Sequence, residues 1–330
     1  MLFNSKGSSF KKLIIAASIP MAFAFSNVSH AAAPLKIAYS DWPGFVAWQV
    51  AIDKGWFKEA GVDVKFDWFD YGASMDAFTA GKEDAVFVTN GDALVVGSGG
   101  AKNTMILITD YSNGNDMIIG KPGVKSLKDL KGKKVGTELG IVDHLLLLDG
   151  LEKAGMTESD VKLVNTKIND TPQALAAGDL AAIGVFEPSA SQALKLVPGS
   201  KPIYTSAQSP GLIYDVLTVS PASLSSRKED WKKLIGVWGK VVAYINDPKT
   251  QADAIKIMSA RDGLTPAEYG RFLKGTRLLS VEEGKAAYVK GDDLKSLWGS
   301  TKNADKFNVK NAIYKTPQDI GKFIDPLLYK

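Results

Sequence analysis

Apolar and polar positions follow two different periods along the first half of the chain. Apolar runs at residues 35–39, 62–69 and 85–89 have the character of β-strands, and the stretches at 46–58 and 74–80 have the spacing of helices. The predicted order is βαβαβ. Such alternation is typical of a parallel sheet covered by helices.

The same pattern begins again in the middle of the chain. Strands are predicted at 134–137, 161–164 and 182–185, with helices at 142–153 and 172–177. The second series resembles the first in the order and length of its elements. The sequence therefore predicts two similar α/β units.

Glycines at matching places support this repeat. Gly61 and Gly81 each follow a predicted helix and precede a strand, and Gly155 and Gly178 hold the same places in the second series. A glycine there suits the left-handed backbone that ends many helices. We expect all four to have a structural role.

Two units with two crossings between them predict an α/β fold of two lobes around a hinge. The chain is expected to cross near 109–116 and to return near 212–218, and the tail after 225 reads as mostly helical, with helix starts marked by Pro248 and Pro266. Ligands of open α/β sheets bind beyond the carboxyl ends of the strands, which here means the cleft between the lobes. The expected divisions are a leader at 1–31, a first lobe with the helical tail at 32–112 and 216–330, and a second lobe at 113–215.

The first thirty-one residues have the features of a secretory signal peptide. Lys6, Lys11 and Lys12 precede a short apolar run at 13–25, and a small-x-small site ends at Ala31. We expect cleavage after Ala31 and export across the inner membrane. No cysteine follows that could carry a lipid, so a free periplasmic protein is expected.

Composition excludes several chemistries. The chain has 330 residues, no cysteine, two histidines (His30 and His144) and a formal net charge of +4. A basic footprint for nucleic acid is absent, and cysteine-based or multi-histidine metal sites cannot be built. No nucleotide-binding or hydrolase motif is present, so we expect neither a cofactor nor an enzyme. His144 beside four leucines is expected to be buried.

Several segments carry a family resemblance. Asp-Trp-Pro-Gly-Phe at 41–45, Ala-Ile-Asp-Lys-Gly-Trp-Phe at 51–57, Ser-Leu-Lys-Asp-Leu-Lys-Gly at 126–132 and Phe-Glu-Pro at 186–188 resemble the nitrate, sulfonate and taurine class of periplasmic binding proteins of ABC transporters. The resemblance implies a type II venus-flytrap fold, a monomer and an inner-membrane permease as partner. The 41–45 loop is similar to a branch associated with urea carboxylase, which implies guanidine or urea as ligand.

The chain departs from that class where an oxyanion would bind. All four arginines (Arg227, Arg261, Arg271 and Arg277) lie in the helical tail, whereas sulfonate or nitrate calls for positive or donor-rich groups. Glu138 and Asp143 stand near the start of the second-lobe helix, where sulfonate binders have small hydroxyl residues.

Mapping strand ends onto the cleft gives a set of acidic and aromatic residues. Carboxylates can pair with the edges of a planar cation while aromatic rings cover its face, so guanidine is expected first and urea second. The hinge also supplies Asp110, which is not among the predicted ligand contacts. The predicted ligand contacts are Asp41, Trp42, Tyr71, Asn90, Asp92, Asp116, Glu138, Asp143, Glu187, Tyr214 and Asp215.

Other interpretations stay open for this set. Asp92, Asp143 and Glu187 stand at helix starts, where a carboxylate also caps backbone N–H groups. A sulfonate, taurine or nitrate binder of the same fold remains possible, because backbone N–H groups alone can hold an oxyanion. A remote alternative is the pyrimidine-forming enzyme of thiamine synthesis, which shares the two-lobe fold.

Overall fold

Two mixed sheets organise the computed structural model, which describes residues 1–2 and 33–325. The predicted signal peptide and its cleavage site lie outside the described residues. The strands are β1 Leu35–Tyr39, β2 Val64–Trp68, β3 Ala85–Thr89, β4 Thr104–Ser112, β5 Asp116–Gly120, β6 Lys134–Thr137, β7 Lys162–Asn165, β8 Ala182–Phe186, β9 Lys201–Thr205, β10 Tyr214–Val219 and β11 Thr276–Leu278.

Helices cover both sheets and form most of the segment from residue 221 to residue 310. They are α1 Pro43–Val46, α2 Gln49–Asp53, α3 Trp56–Glu59, α4 Tyr71–Thr79, α5 Asn90–Ser98, α6 Val142–Lys153, α7 Thr171–Ala176, α8 Ser189–Leu196, α9 Pro221–Ser226, α10 Lys228–Asn246, α11 Gln251–Arg261, α12 Pro266–Gly275, α13 Val281–Ala287 and α14 Leu297–Lys310. None of the helices in the described part of the chain is long and apolar enough to span a membrane.

The two sheets repeat one arrangement. The first has the order β11-β4-β10-β3-β1-β2 and the second the order β7-β6-β8-β5-β9. In each, three parallel strands are followed by an antiparallel strand that enters from the other half of the chain, β10 beside β3 and β5 beside β8. The chain divides into a leading unit, Met1–Ala33, and a compact unit, Pro34–Lys330, which contains both sheets.

The crossings between the sheets lie side by side and are tied together. The hydroxyl groups of Ser112 and Ser206 are 2.7 Å apart, and the backbone N–H of Gly114 donates to the Ser206 hydroxyl at 2.7 Å. The Asn115 amide donates to the carbonyl of Phe272 at 2.7 Å, which attaches the helical tail to the crossing. A hinge at this place joins the two sheets through few residues.

Many predicted elements are confirmed, and the misses have local causes. The bounds of β1, β3, β6 and α6 agree with the prediction, and the four repeat glycines all have positive φ. The predicted helix at 46–58 is three short helices, because Gly55 takes a left-handed backbone (φ 71°) between α2 and α3. The predicted start at Pro248 is wrong, since α11 begins at Gln251. The start at Pro266 is confirmed, with Thr265 capping α12.

Candidate functional site

Strand register brings carboxyl groups together at the ends of the central strands. In the first sheet, Asp215 of β10 lies between Thr89 of β3 and Asp110 of β4. In the second sheet, Asp116 at the start of β5 faces Phe186 at the end of β8. The antiparallel strands that enter each sheet therefore carry their first residues into the cleft.

A small cavity of about 10 Å³ lies between these strand ends. The ring of Phe186 meets Trp42 edge-on, with ring centroids 5.8 Å apart, and meets Tyr71 in the same way at 5.7 Å. Three aromatic rings thus form one wall. The lining residues are Trp42, Phe45, Tyr71, Thr89, Asp116, Val142, Phe186, Ile213 and Asp215.

Tyr71 joins this wall to Asp92. Its hydroxyl group donates to Oδ2 of Asp92 at 2.5 Å and accepts from the backbone N–H of Thr89 at 3.0 Å. The backbone N–H of Val142, at the start of α6, also favours the ionised form of Asp92. Burial is the main reason that the pKa of Asp92 rises to about 7.

Asp110 and Asp215 form a carboxyl pair. Asp110 accepts from the Trp42 indole at 2.9 Å and from the Thr109 hydroxyl at 2.9 Å, and its carboxyl group is hydrogen-bonded to that of Asp215. Burial raises the pKa of Asp110 to about 6. Burial and then the charge of Asp110 raise the pKa of Asp215 well above its usual range.

Asp116 and Asp143 are two further acids of the cleft, and each has at least one carboxyl oxygen without a hydrogen-bond partner. Burial, followed by the charges of Asp110 and Asp92, raises the pKa of Asp116 to about 7. Burial and then the charge of Asp116 raise the pKa of Asp143 well above its usual range. Among the described residues, six buried carboxyl oxygens have no hydrogen-bond partner, and four of them lie in this cluster: Oδ2 of Asp116, both oxygens of Asp143 and Oδ2 of Asp215. The other two, Oε2 of Glu83 and Oδ2 of Asp262, lie outside it.

The charge of this cluster is uncompensated within the described part of the chain. The groups that shift the pKa of its five aspartates are other acids, hydroxyls, the Trp42 indole and backbone N–H groups, and no Lys or Arg is among them. Ionised carboxylates buried without a counter-charge are strongly unfavourable. The negative charge of these carboxyl groups must therefore be neutralised by bound protons or by a cation.

A second, larger cavity, of about 290 Å³, also has Tyr71 in its lining. Asp70, Glu138, Lys167 and Asn169 are among its lining residues. The Asn169 amide donates to Asp70 at 2.6 Å, and Glu138 accepts from the backbone N–H of Ile168 at 3.2 Å. Burial raises the pKa of Glu138. This residue lies at the mouth of the cleft, not in the inner cavity.

Six predicted contact residues come together at the inner cavity. Trp42, Tyr71, Asp116 and Asp215 line it, whereas Asp92 and Asp143 adjoin it through the hydrogen bond and the electrostatic interactions described above.

The structure places four other predicted residues elsewhere. Glu187 accepts from the backbone N–H and the hydroxyl of Ser191, both at 2.9 Å, so it caps α8 as the alternative interpretation held. The Asn90 amide donates to Ser300 and Thr301 in α14.

Tyr214 and Asp41 are the other two predicted contact residues that do not line the inner cavity. The Tyr214 hydroxyl donates to the Lys295 carbonyl at 2.9 Å. Asp41 interacts with Asp70 and Asp262, and burial raises its pKa to about 6. His144 is buried as expected, where its Nδ1 accepts from the Gly140 N–H at 3.2 Å.

Sequence reasoning missed Phe186 as a wall residue and left Asp110 outside the contact set. Residues 186 and 187 are consecutive at the end of a strand, and neighbouring strand residues point to opposite faces. The charge of Glu187 drew attention to that residue, whereas Phe186 is the member of the pair that lines the cavity. A search for the aromatic residue at a strand end could have found Phe186.

Comparisons with known proteins agree with this architecture. A family model described as NMT1/THI5 like matches residues 42–235. A protein of Brucella abortus (strain 2308), provisionally named a binding protein, is 29% identical over 191 residues, which cover 57% of this chain and 59% of that protein. The matched region thus spans about three fifths of the length of this relative.

Solved structures show the fold. The alkanesulfonate-binding protein SsuA of Xanthomonas axonopodis pv. citri, bound to MOPS, superposes with a TM-score of 0.73 at 18% identity, over 89% of this chain and 99% of that one. The desulfurization enzyme DSZB superposes with a TM-score of 0.62 at 16% identity, over 89% and 97%. The predicted α/β fold of two lobes is confirmed, and at these identities the likeness concerns the fold alone.

Proposed function

Because the chain belongs to the NMT1/THI5-like family, we propose that it is the solute-binding component of an ABC importer. Its ligand in this proposal is a small, planar, nitrogen-rich cation, with guanidine first and urea second. It works as a monomer in the periplasm, closes on one ligand and delivers it to an inner-membrane permease. The similarity to a named binding protein and to SsuA supports the transport role.

The observation that carries the choice of ligand is the set of four partnerless, buried carboxyl oxygens on Asp116, Asp143 and Asp215. Guanidinium presents N–H donors along three edges of a plane and keeps its charge at neutral pH. It can pair with several carboxylates at once while an aromatic ring covers its face. Trp42, Tyr71 and Phe186 supply such rings.

The size of the cavity favours a ligand of a few atoms. Its volume of about 10 Å³ is far below the roughly 300–1,000 Å³ typical of sites for drug-sized molecules, so even a ligand of a few atoms enters only when the walls of the cavity move apart. Urea has nearly the same shape as guanidinium but no charge, so it would leave the carboxylates uncompensated. Guanidinium is the better match for both shape and charge.

A sulfonate, taurine or nitrate ligand is the second candidate, favoured by the structural match to SsuA. An anion in this cavity would face Asp116, Asp143 and Asp215 and could be held only if these groups were protonated. An enzyme is the third possibility, because DSZB has the same fold. We propose a non-catalytic role for two reasons. The polar groups at the inner cavity are mainly carboxyl oxygens, which accept hydrogen bonds, and the His144 ring accepts from the Gly140 N–H.

The test is a thermal-unfolding series on the purified, extensively dialysed protein with guanidinium chloride, urea, taurine, nitrate and an alkanesulfonate. Ligand at a hundred times Kd stabilises the folded state by about 2.7 kcal/mol, which corresponds to a shift of several degrees. Sodium chloride at equal ionic strength controls for salt. A shift with guanidinium alone supports the proposal, and a shift with taurine or a sulfonate alone contradicts it.

A further inference from the structure

The carboxyl pair of Asp110 and Asp215 requires a proton. A carboxylate can only accept hydrogen bonds, so a hydrogen bond between two carboxyl groups exists only when one of them is protonated. The remaining contacts of Asp110, from the Trp42 indole and the Thr109 hydroxyl, are donors to a carboxylate. Asp215 is therefore the member that carries the proton.

The acids around the cavity favour further protons, whereas the Tyr71 hydroxyl and the Trp42 indole favour the ionised form of the acid to which each donates. α5 contributes Asp92, β5 Asp116, α6 Asp143 and the loop after β6 Glu138, and these acids act on one another electrostatically. α4 contributes the neutral hydroxyl of Tyr71, the loop after β1 the Trp42 indole and β8 the Phe186 ring. Among residues 33–325, no Lys or Arg takes part in these interactions.

From this arrangement we infer that the cation enters the cavity in exchange for a proton. In the ligand-free protein the Asp110–Asp215 pair, Asp116 and Asp143 share protons among closely spaced oxygens. A bound monocation supplies one positive charge to the same oxygens, and one proton leaves to solvent, so the charge of the closed site is unchanged. The inference rests on the proposed function and adds a proton-coupled mode of binding.

Two consequences follow for affinity. Loss of one proton per cation makes Kd fall about tenfold for each unit of rising pH while the cluster holds the proton. Because burial and the charge of Asp110 raise the pKa of Asp215 well above its usual range, this dependence extends well above the ordinary pKa of an aspartate, and Kd becomes constant once the cluster has lost the proton. Binding of an anion would show the opposite sign, since it would take protons up.

Isothermal titration calorimetry of guanidinium chloride into the purified protein at pH 6.5 tests the inference. The titration is repeated in two buffers with different enthalpies of ionisation, and the difference in observed heat gives the number of protons released. We expect about one proton per guanidinium bound. Equal heats in both buffers, with guanidinium still binding, overturn the inference and leave the proposed function standing. Absence of guanidinium binding overturns both.

Two variants assign the proton. Asp215→Asn replaces the shared proton by an amide N–H that still donates to Asp110, so less than half of the proton release is expected to remain. Asp262→Asn removes a carboxyl whose pKa is also raised, to about 8, but which interacts with Asp41 away from the cavity. Full release is expected to persist in this control. If Asp215→Asn does not fold, the two-buffer result on the unmodified protein still decides.

Discussion

The hydroxyl group of Tyr71 is shared between Asp92, which accepts its hydrogen bond at 2.5 Å, and the backbone N–H of Thr89, which donates to it at 3.0 Å. Three elements, β3, α4 and α5, therefore meet at one phenol group. Their relative position is fixed by hydrogen bonds in a buried place. The N–H of Val142, at the start of α6, also acts on Asp92 and favours its ionised form.

Tyr71→Phe removes this shared hydroxyl and keeps the ring. Asp92 and the Thr89 N–H each lose a partner in a buried place, so the free energy of unfolding is expected to fall by about 1–3 kcal/mol. Thermal unfolding checks this, because guanidinium and urea are candidate ligands and are unsuitable as denaturants. Tyr244→Phe removes an exposed hydrogen bond to Asp253 and should change stability by less than about 0.5 kcal/mol. Equal effects for both variants would contradict the account.

Asp116→Asn separates stability from binding. The substitution removes a buried acid whose Oδ2 has no partner, so the ligand-free protein should be as stable as the original or more stable. Loss of one charge-assisted pair should weaken guanidinium binding by about 2 kcal/mol, measured by calorimetry. Asp179→Asn, at an exposed carboxylate, changes net charge equally and should leave affinity unaltered. Unchanged affinity in Asp116→Asn would remove this residue from the site.

The pH dependence of stability has a definite sign. The pKa of Asp116 is raised by burial from 3.8 to about 7 in the folded protein. The unfolded chain therefore loses this proton at lower pH, and the group destabilises the ligand-free fold increasingly between about pH 4 and 7, by about 1.4 kcal/mol per unit. The melting temperature of Asp116→Asn relative to the original protein should rise through that range and stay constant above it. A pH-independent difference would show that Asp116 is ionised in the fold.

His144 acts in the opposite direction. Burial lowers its pKa from 6.5 to about 4, so its contribution to stability is present above pH 6.5 and is lost as pH falls toward 4. His144 is present in both proteins, so its contribution cancels when the melting temperature of Asp116→Asn is compared with that of the original protein at each pH. This difference in melting temperature is more informative than the pH profile of either protein alone.

Gly44 is the point of closest approach between α1 and the carboxyl pair. A Cβ at this position would lie 2.0 Å from Oδ2 of Asp110. Gly44→Ala should displace the carboxyl group and reduce both guanidinium affinity and stability, the latter by about 1–3 kcal/mol. Gly236→Ala, inside α10 with nothing within 4 Å of the new methyl group, should stabilise by about 0.5–1 kcal/mol. If Gly44→Ala changed neither the guanidinium affinity nor the stability, the carboxyl group of Asp110 would be free to move away from the new methyl group.

The sequence contains enough information to predict the fold because the two sheets use the same local pattern. The runs that became β1 and β3 are mostly apolar and end at turn residues, and α6 has a long run of apolar residues. β11 was missed, since a three-residue strand at the edge of a sheet has no detectable period. Its partner β4 is far away in the sequence.

The site could be predicted only in its chemistry. An excess of acids and aromatics at strand ends indicates a cation site, and Asp116, Asp215, Trp42 and Tyr71 do line the cavity. Which acids meet depends on strand register, because the contact of Asp110 with Asp215 exists through the pairing of β4 with β10. Register between strands so far apart in the chain is a tertiary property that no local pattern contains.

The most direct test of a cation site is a side-by-side calorimetric titration of the same preparation with guanidinium chloride and sodium methanesulfonate at pH 8. The cluster holds fewer protons at pH 8 than at pH 6.5 and is therefore more negative. The difference in affinity between a cation and an anion is larger at the higher pH. The account predicts saturable binding of one guanidinium per chain and no saturable heat with methanesulfonate. Saturable binding of methanesulfonate without binding of guanidinium would contradict it.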